Sequence, residues 1–176
     1  MKFYLFIVLF FLIVSSQKTH AQNNFGSIKE PQKDKETKLR ERIFIDYADT
    51  CLGVIEQSAQ SLLIKGVAFI AFIPGDTTLS WISKIKVIGA LTGGNVNYLA
   101  IACSKASEMA STLKNSGSGV RVPMVGEFGY KGGVIKKVSG GYILAVFSGG
   151  TSDQDVEVAN NGLDLLGKYY IGLISK

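Results

Sequence analysis

The sequence predicts an α+β domain in which helices flank an antiparallel sheet of five strands. Three segments place apolar residues three and four positions apart, as one helix face does, and five short apolar or alternating runs are typical of strands. Turns rich in glycine separate neighbouring strands, so consecutive strands are expected to pair as hairpins. The element order, α-β-β-α-β-β-β-α, is that of an α+β fold built on an antiparallel sheet.

The composition allows one domain with a packed core. The chain has 176 residues, of which 47% are hydrophobic and 19% are charged. Global disorder requires few apolar residues and a high net charge, so this composition excludes it.

The first 21 residues are typical of a secretory signal peptide. Lys2 supplies a positive charge, residues 3–14 are an unbroken apolar run, and Thr19 and Ala21 are small residues at the positions before a cleavage point. A run of this length is too short to cross a bilayer as a helix. We therefore expect export and no membrane span after cleavage, with an uncleaved anchor as the alternative.

The segment after the signal peptide is predicted to be a charged linker. Residues 22–38 are polar, mixed in charge and without apolar periodicity, which places the domain at residues 39–176. Cleavage after Ala21 leaves 17 basic and 14 acidic residues and removes the only histidine, His20. Nucleic acid is excluded as a partner because no basic stripe is present. Catalysis by a Ser-His-Asp triad or a Cys-His pair is excluded because both require histidine.

The first half of the domain is predicted to be a helix followed by a hairpin. The helix begins near Leu39 and ends at Gly66, and its buried face contains Ala48, Cys51, Leu52, Ile55, Ala59, Leu62 and Leu63. Residues 67–73 form a continuous apolar run that predicts a buried strand, and Pro74-Gly75-Asp76 predicts a turn. The second strand is expected to contain Leu79, Trp81, Ile85 and Val87.

The second half is predicted to be a helix, three strands and a last helix. A glycine-rich loop at 89–95 precedes a helix with apolar residues from Val96 to Leu113, and a polar loop at 115–119 ends that helix. The three strands are predicted at 121–128, 134–138 and 142–147. Thr151 and Gln154 have the spacing of a capping box and predict the start of the last helix.

Several of these segments together resemble a known family. The segments are Ser104-Lys105-Ala106, residues 143–155 (ILAVFSGGTSDQD), Val158-Ala159 and Gly162-Leu163. They are similar to the GlcG/HbpS-like family of small haem-binding proteins, over about residues 43–167. The resemblance implies a profilin-like fold with a five-stranded antiparallel sheet, haem or a related small molecule as ligand, and a homo-oligomer.

The resemblance also selects candidate ligand-binding residues. Lys105 matches the family lysine, which implies contact with an anion or propionate, whereas a lysine at the edge of an apolar helix face would otherwise extend to water. Ser148, Gly149 and Gly150 precede a helix and would cradle an anion with backbone amides, or would form only a tight joint capped by Thr151. Asp155 of the same motif completes this part of the predicted set.

Haem iron requires an axial ligand, and the mature chain offers no imidazole. The candidate ligands to iron are therefore Tyr98, Tyr130, Met109, Met124, Lys105, Cys51 and Cys103. Tyr130 lies in a glycine-rich segment beside basic residues, and the alternative is an ordinary loop tyrosine. Cys51 and Cys103 are predicted on apolar helix faces, either joined by the disulfide that export permits or reduced and buried. The single histidine excludes a histidine-rich metal cluster, and the sequence identifies no particular metal.

Three functions follow from these expectations. The first is an exported, non-catalytic binding protein for haem or a related small molecule. The second is an interaction domain that kept the fold and lost the ligand, which is favoured by the absent histidine and by family motifs that differ here, such as Lys86-Val87-Ile88-Gly89-Ala90. An enzyme is the third and has only the family association in its favour.

Overall fold

The structure, a computed structural model, describes residues 35–171. The predicted signal peptide and most of the predicted linker lie outside the described residues. The elements in chain order are α1 (Lys35–Ser61), β1 (Gly66–Pro74), β2 (Ile82–Ile88), β3 (Thr92–Gly93), β4 (Val96–Asn97), α2 (Tyr98–Thr112), β5 (Gly133–Val138), β6 (Gly141–Ser148) and α3 (Ser152–Ile171).

The sheet is antiparallel, as predicted, but it has four strands rather than five. Its order is β2-β1-β6-β5, and β3 and β4 form a separate two-stranded hairpin. The α+β class is therefore confirmed among the described residues, and the five-stranded sheet is corrected. The second strand also begins later than predicted, because Leu79 and Trp81 lie in the connection before β2.

The predicted strand that is absent is the segment 121–128, the third of the five in chain order, which folds into a loop instead. Arg121 donates from both terminal nitrogens to the carboxylate of Glu127, at 2.6 and 2.8 Å, and the amide of Met124 donates to the same carboxylate at 2.9 Å. A strand would hold these residues too far apart for such contacts, since it rises about 3.3 Å per residue. The local ion pair and amide contact therefore replace pairing with the sheet.

The helices cover the two faces of the sheet in three layers. On one face, α1 and α3 pack on alternate residues of β1 and β6, among them Ile70 and Phe147. On the other face, α2 packs on the intervening residues, among them Phe69 and Val146. Because the central strands β1 and β6 are covered on both faces, their sequences are apolar almost without interruption, which explains why residues 67–73 predicted a buried strand.

The helix boundaries differ from the predicted ones for local reasons. The first helix begins at Lys35, inside the predicted linker, and ends at Ser61 rather than at Gly66. Leu63 adopts a left-handed conformation just after the helix, and the amide of Ile64 donates to the carbonyl of Ala59. The chain thus turns before Gly66, which becomes the first residue of β1.

Close packing of α1 against α3 depends on Gly162. A Cβ at this position would lie 2.3 Å from Cγ1 of Ile55 and 3.1 Å from the carbonyl oxygen of Cys51. Only glycine lets the two helix backbones approach this closely. Within residues 35–171, none of the helices has the length and hydropathy needed to cross a membrane.

Candidate functional site

The structure brings all six predicted ligand-binding residues to one cleft. Lys105, Tyr130, Ser148, Gly149, Gly150 and Asp155 line a cavity of about 260 Å³ together with Val96, Tyr98, Ile101, Lys131 and Ser152. The first turns of α2, the loop before β5, and the joint between β6 and α3 form its walls. Residues from three separate regions of the sequence therefore meet at one end of the sheet.

The floor of the cleft is a buried ion pair between Lys105 and Asp155. Nζ of Lys105 donates to Oδ2 of Asp155 at 2.7 Å and to the carbonyl oxygen of Phe147 at 2.9 Å. The two side chains are only 3% and 5% exposed. Lys105 comes from the layer of α2 and Asp155 from the layer of α3, so the pair joins the two helix layers around the end of β6. Lys105 therefore does not extend to water, and its ammonium group pairs with Asp155 while the side chain lines the cleft.

Burial disfavours the charged form of both Lys105 and Asp155. It lowers the pKa of Lys105 and raises the pKa of Asp155, and in each case the effect of burial is larger than the attraction of the opposite charge. The pair is therefore a site at which an unpaired charge would be costly, because removal of either partner leaves the other buried without compensation.

The Ser148-Gly149-Gly150 segment is held by the protein's own groups. The amide of Gly150 donates to Oδ1 of Asp155 at 2.8 Å. The predicted capping box is present, since the amide of Thr151 donates to Oε1 of Gln154 at 3.0 Å and the amide of Gln154 donates to the hydroxyl of Thr151 at 3.4 Å. The Asp155 carboxylate thus occupies the place at which an external anion would meet the Gly150 amide.

Gly132 covers the ion pair and was missed by the sequence reasoning. It has φ +121°, and a Cβ there would lie 2.4 Å from Nζ of Lys105 and 2.7 Å from Cβ of Asp155. Its carbonyl accepts a hydrogen bond from the amide of Phe147 at 3.0 Å. Only glycine combines this backbone conformation with this close approach.

The rim of the cleft carries polar groups that no described residue pairs. Neither the Lys131 ammonium nor the hydroxyls of Tyr130, Ser148 and Ser152 form a hydrogen bond or ion pair with another residue of 35–171. The Tyr130 ring lies beside that of Phe128, with centroids 5.6 Å apart. Asp155 is the one acidic residue among the described residues that line the cleft, and its charge is balanced by Lys105.

The cleft is smaller than the pockets that usually hold a ligand as large as haem, which the resemblance implies. A cavity of about 260 Å³ lies below the range of about 300–1,000 Å³ that is usual for pockets holding drug-sized ligands. Of the candidate axial ligands, Met109 and Cys51 are in the core and Lys105 is paired with Asp155. Tyr98 and Tyr130 are the phenols that face the cleft.

Both cysteines are free, so of the two alternatives left open for Cys51 and Cys103 the disulfide is not formed. Cys51 is buried in the layer of α1, whereas Cys103 is exposed on α2. The sheet separates these two helices, so the two thiols lie on opposite sides of it. Cys103 was predicted on an apolar buried face and instead lines a second, largely apolar groove of about 520 Å³ with Phe69, Leu79 and Trp81, which the sequence reasoning missed.

Within the described part of the chain, no cluster of three or more histidine, cysteine or acidic side chains could hold a metal ion. Comparison of the chain with family models, with curated proteins and with solved structures finds no match.

Proposed function

We propose that the protein is an exported, non-catalytic binding protein whose ligand is a small organic anion held in the Lys105–Asp155 cleft. Export is inferred from the signal peptide predicted at residues 1–21. We further infer a divergent, profilin-like member of the GlcG/HbpS-like family. The sheet order β2-β1-β6-β5 with helices on both faces supports a profilin-like fold. The motif residues around Ser148 support membership of the family.

The observation that carries the proposal is that the unpaired polar groups of the cleft include a positive charge and no negative one. Its unpaired polar groups are the Lys131 ammonium and several hydroxyls, whereas its carboxylate is already neutralised by Lys105. The amino-terminal end of α3 adds partial positive charge from the helix dipole. A carboxylate placed between Lys131 and Ser152 would receive charge-assisted hydrogen bonds.

The size of the cleft limits the ligand. A volume of about 260 Å³ suits a carboxylic acid of a few carbon atoms. A non-catalytic role is favoured because Asp155, the carboxylate in the cleft, is held by Lys105 and by the Gly150 amide and is thus unsuited to exchanging protons with a ligand.

Isothermal titration calorimetry of the exported, purified protein tests this proposal. Acetate, succinate and benzoate serve as probes, and succinamide serves as the uncharged analogue of succinate. We expect at least one acid to bind with one site per chain and succinamide not to bind. Lys131→Ala should weaken binding by roughly tenfold, the equivalent of about 1.4 kcal/mol for one lost charged contact.

Lys136→Ala is the matched control, since Lys136 is also exposed but pairs with Asp164, away from the cleft. It should leave the affinity unchanged. A parallel titration with haemin tests haem as the alternative ligand. A saturable Soret shift that is lost in Tyr130→Phe would contradict the small-anion proposal and favour haem.

An interaction domain without a small ligand is the second candidate. It is favoured by a group of exposed apolar side chains in the loop between α2 and β5, Val120, Val122, Met124, Val125 and Phe128. The absence of binding by every acid and by haemin would favour this function over the first.

A further inference from the structure

The outer edge of the sheet at β2 has an apolar face that α2 does not cover. In the register of the sheet, Ile85 pairs with Phe69 and Val87 pairs with Val67. The two β1 residues are buried beneath α2, but Ile85 is 46% exposed and Val87 is 49% exposed. Trp81 continues this strip just before the strand, and its ring packs on Phe69 with centroids 5.4 Å apart.

The two edges of the sheet differ in how their backbones are protected. At β5, the amide of Gly133 donates to the hydroxyl of Ser116 at 2.9 Å, and the amide of Ile135 donates to Oδ1 of Asn115 at 3.0 Å. No side chain in residues 35–171 makes an equivalent bond to the backbone of β2. β2 also lacks proline and glycine, so nothing in its sequence interrupts pairing with another strand.

The sequence of β2 is nearly symmetric about its central residue. In Ile82–Ile88, the strand reads ISKIKVI, with Ile85 at the centre, a lysine on each side and an isoleucine at each end. An antiparallel pair of two such strands centred on Ile85 would place Ile85 opposite itself and Ser83 opposite Val87. A twofold axis requires this kind of self-complementary surface.

The lysines of β2 are compatible with that pairing because each already has a carboxylate. Nζ of Lys84 lies 2.7 Å from Oδ2 of Asp49, and Nζ of Lys86 lies 2.6 Å from Oε2 of Glu56. Lysines on an edge strand usually prevent association through repulsion. In a pair centred on Ile85, Lys84 would lie opposite Lys86 of a second copy, and the carboxylates of Asp49 and Glu56 would offset the repulsion between the two ammonium groups.

We propose that β2 pairs antiparallel with β2 of a second copy around a twofold axis at Ile85, joining the two sheets into one. The contact buries Ile85, Val87 and Trp81 on the face of α2 and aligns the Lys84–Asp49 and Lys86–Glu56 pairs on the face of α1. This dimer is independent of ligand binding, since the Lys105–Asp155 cleft uses none of these residues.

Sedimentation velocity of the purified, exported protein over a range of concentrations tests the association. We expect a dimer, and we expect Ile85→Arg to weaken dimerisation by at least roughly tenfold through loss of apolar contact and addition of charge. Because Ile85 is half-exposed, the circular dichroism spectrum of the variant should remain that of the folded protein. Val122→Arg, which changes an exposed apolar residue on a different surface, should leave the dimer intact.

A protein that stays monomeric at every concentration would overturn the proposal, as would a dimer that Ile85→Arg does not affect. The register is tested by cysteine cross-linking in a Cys103→Ser background. Residues directly opposite in an antiparallel pair have Cα atoms about 4.5–5.5 Å apart, which suits a disulfide. Ile85→Cys should therefore form an interchain disulfide, and Ser83→Cys should not. The reverse result would overturn the twofold axis at Ile85.

Discussion

Lys105 and Asp155, fifty positions apart in the chain, form an ion pair of 2.7 Å that is almost completely withdrawn from solvent. The pair connects α2 to α3 around the end of β6 and also fixes the carbonyl of Phe147. The cleft thus has a rigid, electrically neutral floor, and the groups available to a ligand are those on its rim.

The first prediction concerns the stability that depends on this pair. Lys105→Met should destabilise the fold by about 3–5 kcal/mol, because it leaves the Asp155 carboxylate buried without a counter-charge. The double variant Lys105→Met/Asp155→Leu should recover most of that loss, since it removes both buried charges. Urea denaturation of the two variants and of the parent protein measures the difference, and equal stability of the single and double variants would contradict the argument.

The pH dependence of the single variant has a definite sign. Burial already raises the pKa of Asp155, and loss of Lys105 removes the attraction that opposes this shift. A carboxyl whose folded pKa is raised favours folding below its unfolded pKa and loses that contribution as pH rises through the folded pKa. The deficit of Lys105→Met should therefore be smaller at pH 4 than at pH 7. The double variant, which has no carboxyl at position 155, should lack this difference.

The core of the fold could be predicted from the sequence because it depends on local periodicity. The continuous apolar residues of β1 and β6, and the apolar residues three and four positions apart in α1, indicate which side chains are buried. The segment 121–128 could not be predicted in the same way. Its valines resemble an alternating strand, whereas its conformation is decided by the contact of Arg121 with Glu127, which periodicity does not reveal.

The family resemblance, together with the need of haem iron for an axial ligand in the case of Tyr130, defines the candidate site, whereas spacing along the chain does not. The pairing of Lys105 with Asp155 does not follow from the sequence around either residue alone. One signal was present: Lys105 lies in α2 among the buried residues Ala102, Ala106 and Met109. A lysine on such a face needs a buried counter-charge, and Asp155 was available in the motif assigned to the same site. Gly132 gave no signal, since its role follows from tertiary contact.

The second prediction separates that tertiary contact from backbone strain. Gly132→Ala places a methyl group against the ion pair as well as forcing a positive φ, so it should destabilise the fold and displace Lys105. Gly119→Ala is the matched control, because Gly119 also has a positive φ of 71° but has open space around it. The control should cost only about 1–2 kcal/mol of left-handed strain. Equal thermal stability of the two variants would show that Gly132 does not cover the pair as described.

The third prediction concerns the two thiols. Burial raises the pKa of the Cys51 thiol to about 11, and Cys51 lies in the core, so it should not react with Ellman's reagent in the folded protein. Cys103 is exposed and should react. Titration under native conditions should therefore count one thiol per chain, and titration in denaturant should count two. Cys103→Ser should abolish the native reaction and keep one thiol in denaturant. No thiol in the unreduced, denatured protein would mean that a disulfide forms after all.

The last prediction concerns the loop at residues 121–128, which takes the place of a predicted strand. Hydrogen bonds from Arg121 lower the pKa of Glu127 from 4.5 to about 2. A carboxyl whose folded pKa is lowered stabilises the fold above its unfolded pKa, and that contribution is lost as pH falls through the folded value. The loop should therefore keep its structure as pH is lowered below 4.5 and release Arg121 only near pH 2.

The amide of Met124 is the probe for this change, since it donates to Oε2 of Glu127 at 2.9 Å. Its proton chemical shift should titrate with a midpoint near pH 2 rather than near 4.5. In Glu127→Gln, the same amide should show no such midpoint, because a neutral amide side chain does not titrate. A midpoint near 4.5 in the parent protein would contradict the paired carboxylate. The loop would then need another explanation, since the contact between Arg121 and Glu127 is what holds this segment away from the sheet.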